Sequence, residues 1–305
     1  MAAPRVTVAP DYGAHLRAAV EAGGGQLTEL AEADVLVWTE HDDPAGLAAT
    51  LAEQPSLQWI ALPWAGIEPY VEAGLIDDTR VWTSAKGVYA GPVAEHALAL
   101  SLAGMRELQR WSRARSWGPE AGISLLGGKV TIFGGGGVTR ALLDLLAPFG
   151  CEVTVVRRHP EPMPGAVRVI GFEQRFEALK GADVVVLALA LTPETTGLIT
   201  SVEFEVMEPH AWLVNVARGR HVVTVDLVAA LIDNTIGGAA LDVTEPEPLP
   251  SGHPLWTLPN VLITPHIGLT DDMARPLLAA RVTENIRRWA AAEPLLGRVN
   301  PELGY

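Results

Sequence analysis

The sequence predicts an α/β protein in which parallel β-sheets carry helices on both faces. Three observations lead to this class. Short apolar runs alternate with helical segments along the chain, as in parallel strands joined by crossover helices. Residues 184–189 are apolar throughout, which is typical of a strand buried on both faces. Residues 129–158 have the order strand, glycine turn, helix, strand.

The 305 residues are enough for two domains, each with its own core. In the first part of the chain we expect strands at residues 6–9, 35–39, 57–62 and 81–83. Helices are expected at residues 15–22, before the glycine turn 23–25, and near residues 46–53. Residues 92–108 are strongly helical, and Pro92 fits a first-turn position, so this helix is expected to be the crossover into the second domain.

The second part of the chain continues the alternation. Strands are predicted at residues 130–133, 151–156, 167–170, 184–189, 212–216, 238–242 and 261–264. Helices are predicted after the glycine turn and around residues 172–180, 201–207, 224–233 and 273–292. The last helix is long enough to pack back on the first domain.

The glycine turn after residues 130–133 predicts a dinucleotide site. Gly134 lets the backbone turn sharply, and Gly136 lets it approach a pyrophosphate closely. The helix that follows would offer free N–H groups and a partial positive charge to the phosphates. Thr139 stands where a third glycine is usual, but it is small enough for the helix to pack with a slight shift. The alternative is a glycine-rich turn that binds nothing.

The second strand of this unit ends in Arg157 and Arg158. In an NAD site this position normally holds Asp or Glu, whose carboxylate binds the ribose hydroxyls. A carboxylate would repel a 2′-phosphate, whereas guanidinium groups bind one bidentately. The sequence therefore predicts NADP(H) as the cofactor.

Composition and charge exclude several classes of binding partner. The formal net charge of −14 argues against nucleic acid and anionic membranes. The apolar run 184–191 is far too short to span a bilayer, and the first ten residues lack the apolar core of a signal peptide. The single cysteine, Cys151, fits a reducing compartment, so the cytoplasm is expected. No His, Cys, Asp or Glu cluster has metal-ligand spacing, so we expect no metal.

Three polar residues follow three separate predicted strands: Arg218, Glu247 and His266. Strand ends on one edge of a parallel sheet lie close together, so the three could share one cleft. Arg can bind a substrate carboxylate and polarise a carbonyl, and His can supply a proton. A carboxylate beside that imidazole would stabilise its protonated form. Taken singly, the three have other interpretations: a surface ion pair, a solvated Glu and a loop His bonded to backbone.

Longer motifs cover most of the chain. They are PVAEHALAL (92–100), the glycine turn, LTPETTGLI (191–199), WLVNVARG (212–219), GAALDV (238–243), EPLP (247–250) and PNVLITPHIG (259–268). With these motifs the chain resembles the D-isomer-specific 2-hydroxyacid dehydrogenase family. The resemblance implies that Arg218 is the catalytic arginine, His266 the acid/base histidine and Glu247 its acidic partner. It also places Asp242 at the nicotinamide end of the cofactor, the alternative being a buried Asp that caps backbone.

The resemblance implies a domain organisation that spacing alone does not give. A Rossmann dinucleotide-binding domain, residues 93–275, would be inserted in a flavodoxin-like substrate domain, residues 1–92 plus 276–305. The family's substrate loop falls on Ala65 and Gly66, where backbone N–H groups would hold the substrate carboxylate. Trp64 precedes this loop and is expected either to wall the pocket or to be a core or interface aromatic.

The predicted cofactor contacts are Gly134, Gly136, Gly137, Val138, Arg157, Arg158, Ala190, Thr195, Val216, Ala217, Asp242 and His266. Several positions depart from the family pattern. Besides Thr139 and Arg157, Ala190 replaces a usual Pro, Thr244 a common aromatic residue and Glu68 an Asp. None of these changes removes a catalytic group.

We therefore predict NADPH-dependent reduction of a small 2-keto acid, such as glyoxylate or hydroxypyruvate, to the D-2-hydroxy acid. Three alternatives stay open. One is a nucleotide-sensing binding protein, similar to the corepressors that resemble this family, and another is an NAD-linked dehydrogenase for a bulkier 2-hydroxy acid. The third is a degenerate dehydrogenase with only residual activity, given the substituted positions. The crossover helix and the nearby Trp111 and Trp117 indicate a homodimer interface, as the family resemblance also implies, the alternative being that these tryptophans fill a core.

Overall fold

Two parallel sheets, one in each of two compact units, form the framework of the protein. The structure is a computed structural model that describes residues 3–10 and 13–301. One unit comprises the chain up to Tyr89 and again from Thr270, and the other is Ala90–Leu269. The predicted divisions at 92/93 and 275/276 fall inside helices, whereas the units divide just before those helices begin.

The first unit contains a five-stranded parallel sheet in the order β2-β1-β3-β4-β5. This is the flavodoxin-like doubly wound order. Its elements are β1 (Arg5–Ala9), α1 (Ala14–Ala22), β2 (Gln26–Leu27), β3 (Val35–Trp38), α2 (Pro44–Glu53), β4 (Trp59–Ala61), α3 (Glu68–Glu72) and β5 (Val81–Thr83).

The second unit contains a seven-stranded parallel sheet in the order β12-β11-β10-β9-β6-β7-β8. Its elements are α4 (Ala90–Met105), α5 (Leu108–Trp111), β6 (Lys129–Phe133), α6 (Gly137–Leu146), β7 (Glu152–Val156), β8 (Arg168–Ile170), α7 (Arg175–Leu179), β9 (Val184–Leu187), α8 (Ser201–Val206), β10 (Trp212–Asn215), α9 (Thr224–Ile232), β11 (Gly238–Leu241) and β12 (Val261–Ile263). The chain then returns to the first unit as α10 (Asp271–Ala290).

Helices cover both faces of the larger sheet, as alternate residues of β9 show. Val184 and Val186 lie in one hydrophobic core, and Val185 and Leu187 lie in the other. The predicted fold class, two doubly wound parallel-sheet α/β domains, is therefore confirmed. Strand order reverses between β6 and β9, and ligands of such sheets bind at the carboxyl ends of the strands beside that reversal.

Helix α4 packs closely on the strands that carry the candidate site. It contacts β10, β11 and β12. A Cβ added to Gly104 would lie 2.4 Å from the ring of Trp212, so only glycine allows this approach. The predicted single helix 92–108 is interrupted, because Glu107 has a left-handed φ of 50° and a separate short helix, α5, follows.

Candidate active site

The glycine turn between β6 and α6 has the geometry of a phosphate-binding loop. Gly134 has a φ of +106°, and an added Cβ would lie 2.1 Å from the carbonyl oxygen of Ala188, so only glycine fits. Gly136 is exposed, and a Cβ there would meet nothing within 4 Å. The backbone is thus open at the position that should approach a pyrophosphate. Helix α6 begins at the next residue, Gly137.

Thr139 is an integral part of this turn. Its side chain is 0% exposed, and its hydroxyl donates to the carbonyl oxygen of Gly134 at 2.9 Å. A third glycine could not make this bond. The residue that departs from the fingerprint therefore ties the first turn of α6 to the end of β6.

Arg157 lies over the turn. A Cβ added to Gly135 would be 2.8 Å from both Cδ and Nε of Arg157, so this side chain rests on the glycine backbone. Arg158 is more exposed, and its Nη2 lies 3.6 Å from a carboxylate oxygen of Glu194. The Thr192 hydroxyl, which donates to Glu194, and to a smaller extent Arg158 lower the pKa of that carboxyl. Two cations therefore stand at the end of β7, beside the glycine turn.

The loop after β9 holds Ala190 and Thr195 and is internally bonded. The Thr195 hydroxyl donates to the carbonyl oxygen of Ala190 at 2.8 Å. The fully buried His221 reaches the same loop, with Nδ1 2.9 Å from the carbonyl oxygen of Thr195. Sequence reasoning missed His221, since nothing near it in sequence indicates that contact. A cavity of about 590 Å³ lies beside the loop, lined by Arg158, Phe172, Arg175 and residues 194–198 among others.

The turn after β10 presents Arg218. Asn215, the buried last residue of β10, accepts from the Ala217 N–H at 3.0 Å and donates to the Arg218 carbonyl oxygen at 2.8 Å. The half-buried Arg218 side chain donates to the carbonyl oxygen of Ala217 at 2.7 Å. Val216 and Ala217 are the two residues between Asn215 and Arg218. Asn215 was not predicted as a site residue, although a polar residue ending an apolar strand was a usable signal.

Close packing joins this turn to the loop after β11. A Cβ added to Gly219 would lie 1.9 Å from the Thr244 carbonyl oxygen, so the two backbones meet directly. The Thr244 N–H donates to Oε2 of Glu247 at 3.3 Å, and Oε1 of Glu247 lies 2.6 Å from Nδ1 of His266. The residues predicted from three separate strand ends therefore belong to one connected group.

His266 and Glu247 form a pair that solvent can reach. Their side chains are 49% and 41% exposed. A carboxylate only accepts hydrogen bonds, so Nδ1 of His266 carries a proton and Nε2 lies on the opposite side of the ring. The backbone at His266 is left-handed, with φ of 53°, which is uncommon for residues other than glycine.

Asp242, at the end of β11, is buried with 4% exposure and caps the loop that follows β12. Its carboxylate accepts from the N–H groups of Ile267 and Gly268, both at 2.9 Å, and from the Thr264 hydroxyl at 2.6 Å. Burial raises its pKa, but donors that include His96 and Thr264 outweigh burial and lower the pKa to about 2. This is the backbone-capping role; contact with a nicotinamide stays a prediction.

The predicted substrate loop lies in the other unit. Trp64 is half-buried, with ring centroids 5.0 Å from His41, edge to face, and 5.7 Å from Tyr89. Ala65 is exposed and Gly66 is half-buried. The aromatic contacts give Trp64 a fixed place beside this loop, and the loop's role in substrate binding stays a prediction.

The described part of the chain contains no group of three or more His, Cys, Asp or Glu side chains that could hold a metal ion. In the same residues, no helix combines the length and apolar character needed to cross a membrane.

Comparison with known proteins defines the class to which this fold and site belong. Residues 96–268 match the model of the D-isomer specific 2-hydroxyacid dehydrogenase, NAD binding domain. The chain belongs to this family, and is therefore an oxidoreductase of the nicotinamide-dependent type.

Individual relatives match nearly the whole chain. The chain is 35% identical over 296 residues to an uncharacterised protein of Corynebacterium melassecola, covering 94% of this chain and 95% of that one. It is 31% identical over 307 residues to glyoxylate/hydroxypyruvate reductase A of Serratia proteamaculans, covering 92% of this chain and 95% of that one. A D-isomer specific 2-hydroxyacid dehydrogenase of Xanthobacter autotrophicus Py2, solved in complex with NADPH and MES, superposes with a TM-score of 0.87 at 29% identity, covering 100% of both chains.

Proposed function

We propose that the protein reduces a small 2-keto acid, glyoxylate, hydroxypyruvate or a similar compound, to the D-2-hydroxy acid with NADPH. The observation that carries this proposal is the pair of His266 and Glu247, 2.6 Å apart at the carboxyl edge of a dinucleotide-type sheet. The name of the Serratia proteamaculans relative, glyoxylate/hydroxypyruvate reductase A, supports this substrate class.

The second unit has the features that a dinucleotide requires. The open backbone at Gly136, with Gly137 and Val138 at the start of α6, would hold the pyrophosphate. Residues 190, 195, 216 and 217 would line the rest of the cofactor. When bound, NADPH supplies the hydride for the keto carbon. The complex of the Xanthobacter autotrophicus Py2 protein with NADPH supports this cofactor.

The protein's own residues would bind the substrate and supply the proton. Arg218 would bind the substrate carboxylate and polarise the keto oxygen with a permanent positive charge. His266 would donate a proton from Nε2 to the alkoxide oxygen as the hydride arrives at carbon. Glu247 would orient the imidazole through Nδ1 and balance its charge. Backbone N–H groups at Ala65 and Gly66, beside Trp64, would hold the carboxylate further.

The decisive experiment follows nicotinamide absorbance with purified protein. NADPH and NADH are each offered with glyoxylate, hydroxypyruvate, pyruvate and a bulky aryl keto acid. We expect NADPH-preferring turnover on a small keto acid, and loss of turnover with retained NADPH binding in His266→Ala. Tight NADPH binding without turnover on any substrate would contradict the proposal and favour a nucleotide-sensing binding protein.

We also propose that the protein is a cytoplasmic homodimer. Trp117 is fully exposed in the chain, and Leu108 is 53% exposed just beyond α4. Large apolar side chains of this kind are typical of interfaces. The unpaired thiol of Cys151 fits a reducing compartment. Sedimentation at micromolar concentration should give twice the chain mass of 32.4 kDa; a monomer would reject the dimer.

A further inference from the structure

Asp242 accepts hydrogen bonds from three successive amides of the turn that carries His266. The His266 N–H donates to the Asp242 carbonyl oxygen at 2.8 Å. The next two N–H groups, those of Ile267 and Gly268, donate to the two oxygens of the Asp242 carboxylate. Three successive amides thus point at one residue. These bonds offset the cost of the left-handed backbone at His266 and set the direction of its side chain.

The Asp242 carboxylate is itself held by two side chains from other elements. Thr264 donates its hydroxyl hydrogen to Oδ1 at 2.6 Å, and Nε2 of His96 lies 3.2 Å from the same oxygen. Nε2 of His96 is also 2.9 Å from the Thr264 hydroxyl oxygen. Since the Thr264 hydrogen is already donated to the carboxylate, the Thr264 oxygen must accept, so Nε2 of His96 carries an N–H.

His96 connects this network to helix α4. It lies on α4 with its side chain 19% exposed. A Cβ added to Gly268 would lie 2.9 Å from Oδ2 of Asp242 and 3.5 Å from Cδ2 of His96. The ring, the carboxylate and the turn are therefore in direct contact, with little room for the carboxylate to rotate.

We propose that His96 is a positioning residue for His266, acting through Thr264 and Asp242. Its N–H holds the buried carboxylate in the orientation that accepts from the N–H groups of Ile267 and Gly268, and those two amides fix the turn carrying the acid/base histidine. The inference rests on the proposed function for the role of His266. It does not require His96 to touch substrate or cofactor.

Two matched pairs of variants test the network. His96→Phe keeps a ring but removes the donor, whereas His96→Gln retains an N–H at a similar distance from the backbone. Thr264→Val removes the hydroxyl and Thr264→Ser keeps it. We expect His96→Phe and Thr264→Val to lower kcat about tenfold or more, as small misplacements of reacting groups do, with little change in KM for NADPH. Gln and Ser should restore most of the activity.

A second measurement does not depend on turnover. Amide hydrogen exchange at Ile267 and Gly268 should accelerate in His96→Phe and Thr264→Val and return towards the wild-type rate in His96→Gln and Thr264→Ser. If His96→Phe leaves both exchange and kcat unchanged, the proposal is overturned. The same holds if Gln fails to rescue, since the ring would then act by packing alone. Should the wild type reduce no keto acid, the proposed function fails, but exchange still decides the positioning role.

Discussion

His266 shows at the scale of single residues how the site is held. Its ring is half-exposed and bonded to one carboxylate, while its backbone is in a conformation that few residues other than glycine adopt. The side chain proposed to act on the substrate is thus open to solvent, and hydrogen bonds from the turn to Asp242 hold its backbone. A surface histidine in a relaxed loop would lack this arrangement.

Glu247 should contribute its charge as well as its position. In Glu247→Gln the side-chain oxygen can still accept from Nδ1 of His266, but the negative charge that stabilises an imidazolium is gone. We expect kcat to fall by about 10²-fold, in the range of general acid–base catalysis, with NADPH affinity unchanged. Steady-state kinetics and a binding titration measure the two effects.

The matched control is Glu245→Gln in the same loop, because Glu245 is exposed and its backbone oxygen, rather than its carboxylate, accepts from Thr224. It should leave kcat unchanged. An equal loss in both variants would mean that the charge of the loop, and not the pair with His266, is what matters.

Arg157 should select the cofactor. Its guanidinium lies over Gly135, beside the predicted phosphate site, and a charge-assisted bond to a 2′-phosphate is worth about 1.5–3 kcal/mol. Arg157→Ala is therefore expected to raise the Kd for NADPH by about 10- to 100-fold while the Kd for NADH changes little. Fluorescence titration with both cofactors measures this.

Arg168→Ala provides the control for net charge. Arg168 is an exposed arginine at the start of β8, paired with Glu177 at 3.1 Å. Its removal should affect neither cofactor. If Arg157→Ala weakened the binding of NADH and NADPH equally, Arg157 would support the turn and would not contact a 2′-phosphate.

At the scale of elements, the join between β6 and α6 depends on Thr139. Its buried hydroxyl bonds to the carbonyl oxygen of Gly134. Thr139→Val keeps the shape but leaves that oxygen without its donor, so we expect a loss of about 1–2 kcal/mol in the free energy of unfolding and weaker NADPH binding. Thermal denaturation and titration test this.

Thr139→Ser separates the hydroxyl from the methyl group. Serine retains the hydrogen bond and should bind NADPH nearly as the wild type does, with a small loss of stability from the missing methyl. If Val and Ser behave alike in cofactor binding, the hydroxyl has no part in shaping the turn.

The order and type of the longer elements show where sequence reasoning was sufficient, whereas strand ends were less exact. The strand predicted at residues 184–189 ends at Leu187, and the one predicted at 57–62 spans only Trp59–Ala61. Long apolar runs such as β9 and the repeated strand–helix order were read directly, because burial on both faces leaves an unbroken apolar pattern. The two-residue strand β2, the short helices α3 and α5 and the break at Glu107 were missed. Segments this short carry no detectable periodicity, and neighbouring elements decide their conformation.

At the scale of the whole molecule, Asp242 should make the free energy of unfolding depend on pH in the acid range. Its pKa falls from an ordinary value of 3.8 to about 2 in the folded protein. This contribution, on the order of 2 kcal/mol, is fully present above pH 4 and is lost as the pH falls from about 4 through about 2, because the unfolded chain then binds the proton first.

The thermal midpoints of the wild type and Asp242→Asn, compared at pH 6 and at pH 3, measure that contribution. We expect the thermal midpoint of the wild type to exceed that of Asp242→Asn at pH 6, and this difference to be smaller at pH 3. The control Asp233→Asn changes an exposed carboxylate at the end of α9, and its difference in thermal midpoint from the wild type should be the same at both pH values. A constant difference for Asp242→Asn would mean that shape, and not charge, explains its effect.

The sequence by itself determined the fold class, the glycine turn and the positions of Arg218, Glu247 and His266, because these depend on local patterns and on strand ends meeting at one edge of a sheet. Only the tertiary structure decided that Arg157 rests on Gly135, that Gly219 meets Thr244 and that His96 reaches Asp242. These contacts join residues far apart in the chain. Their distances follow from how helices and strands pack, which no local spacing records.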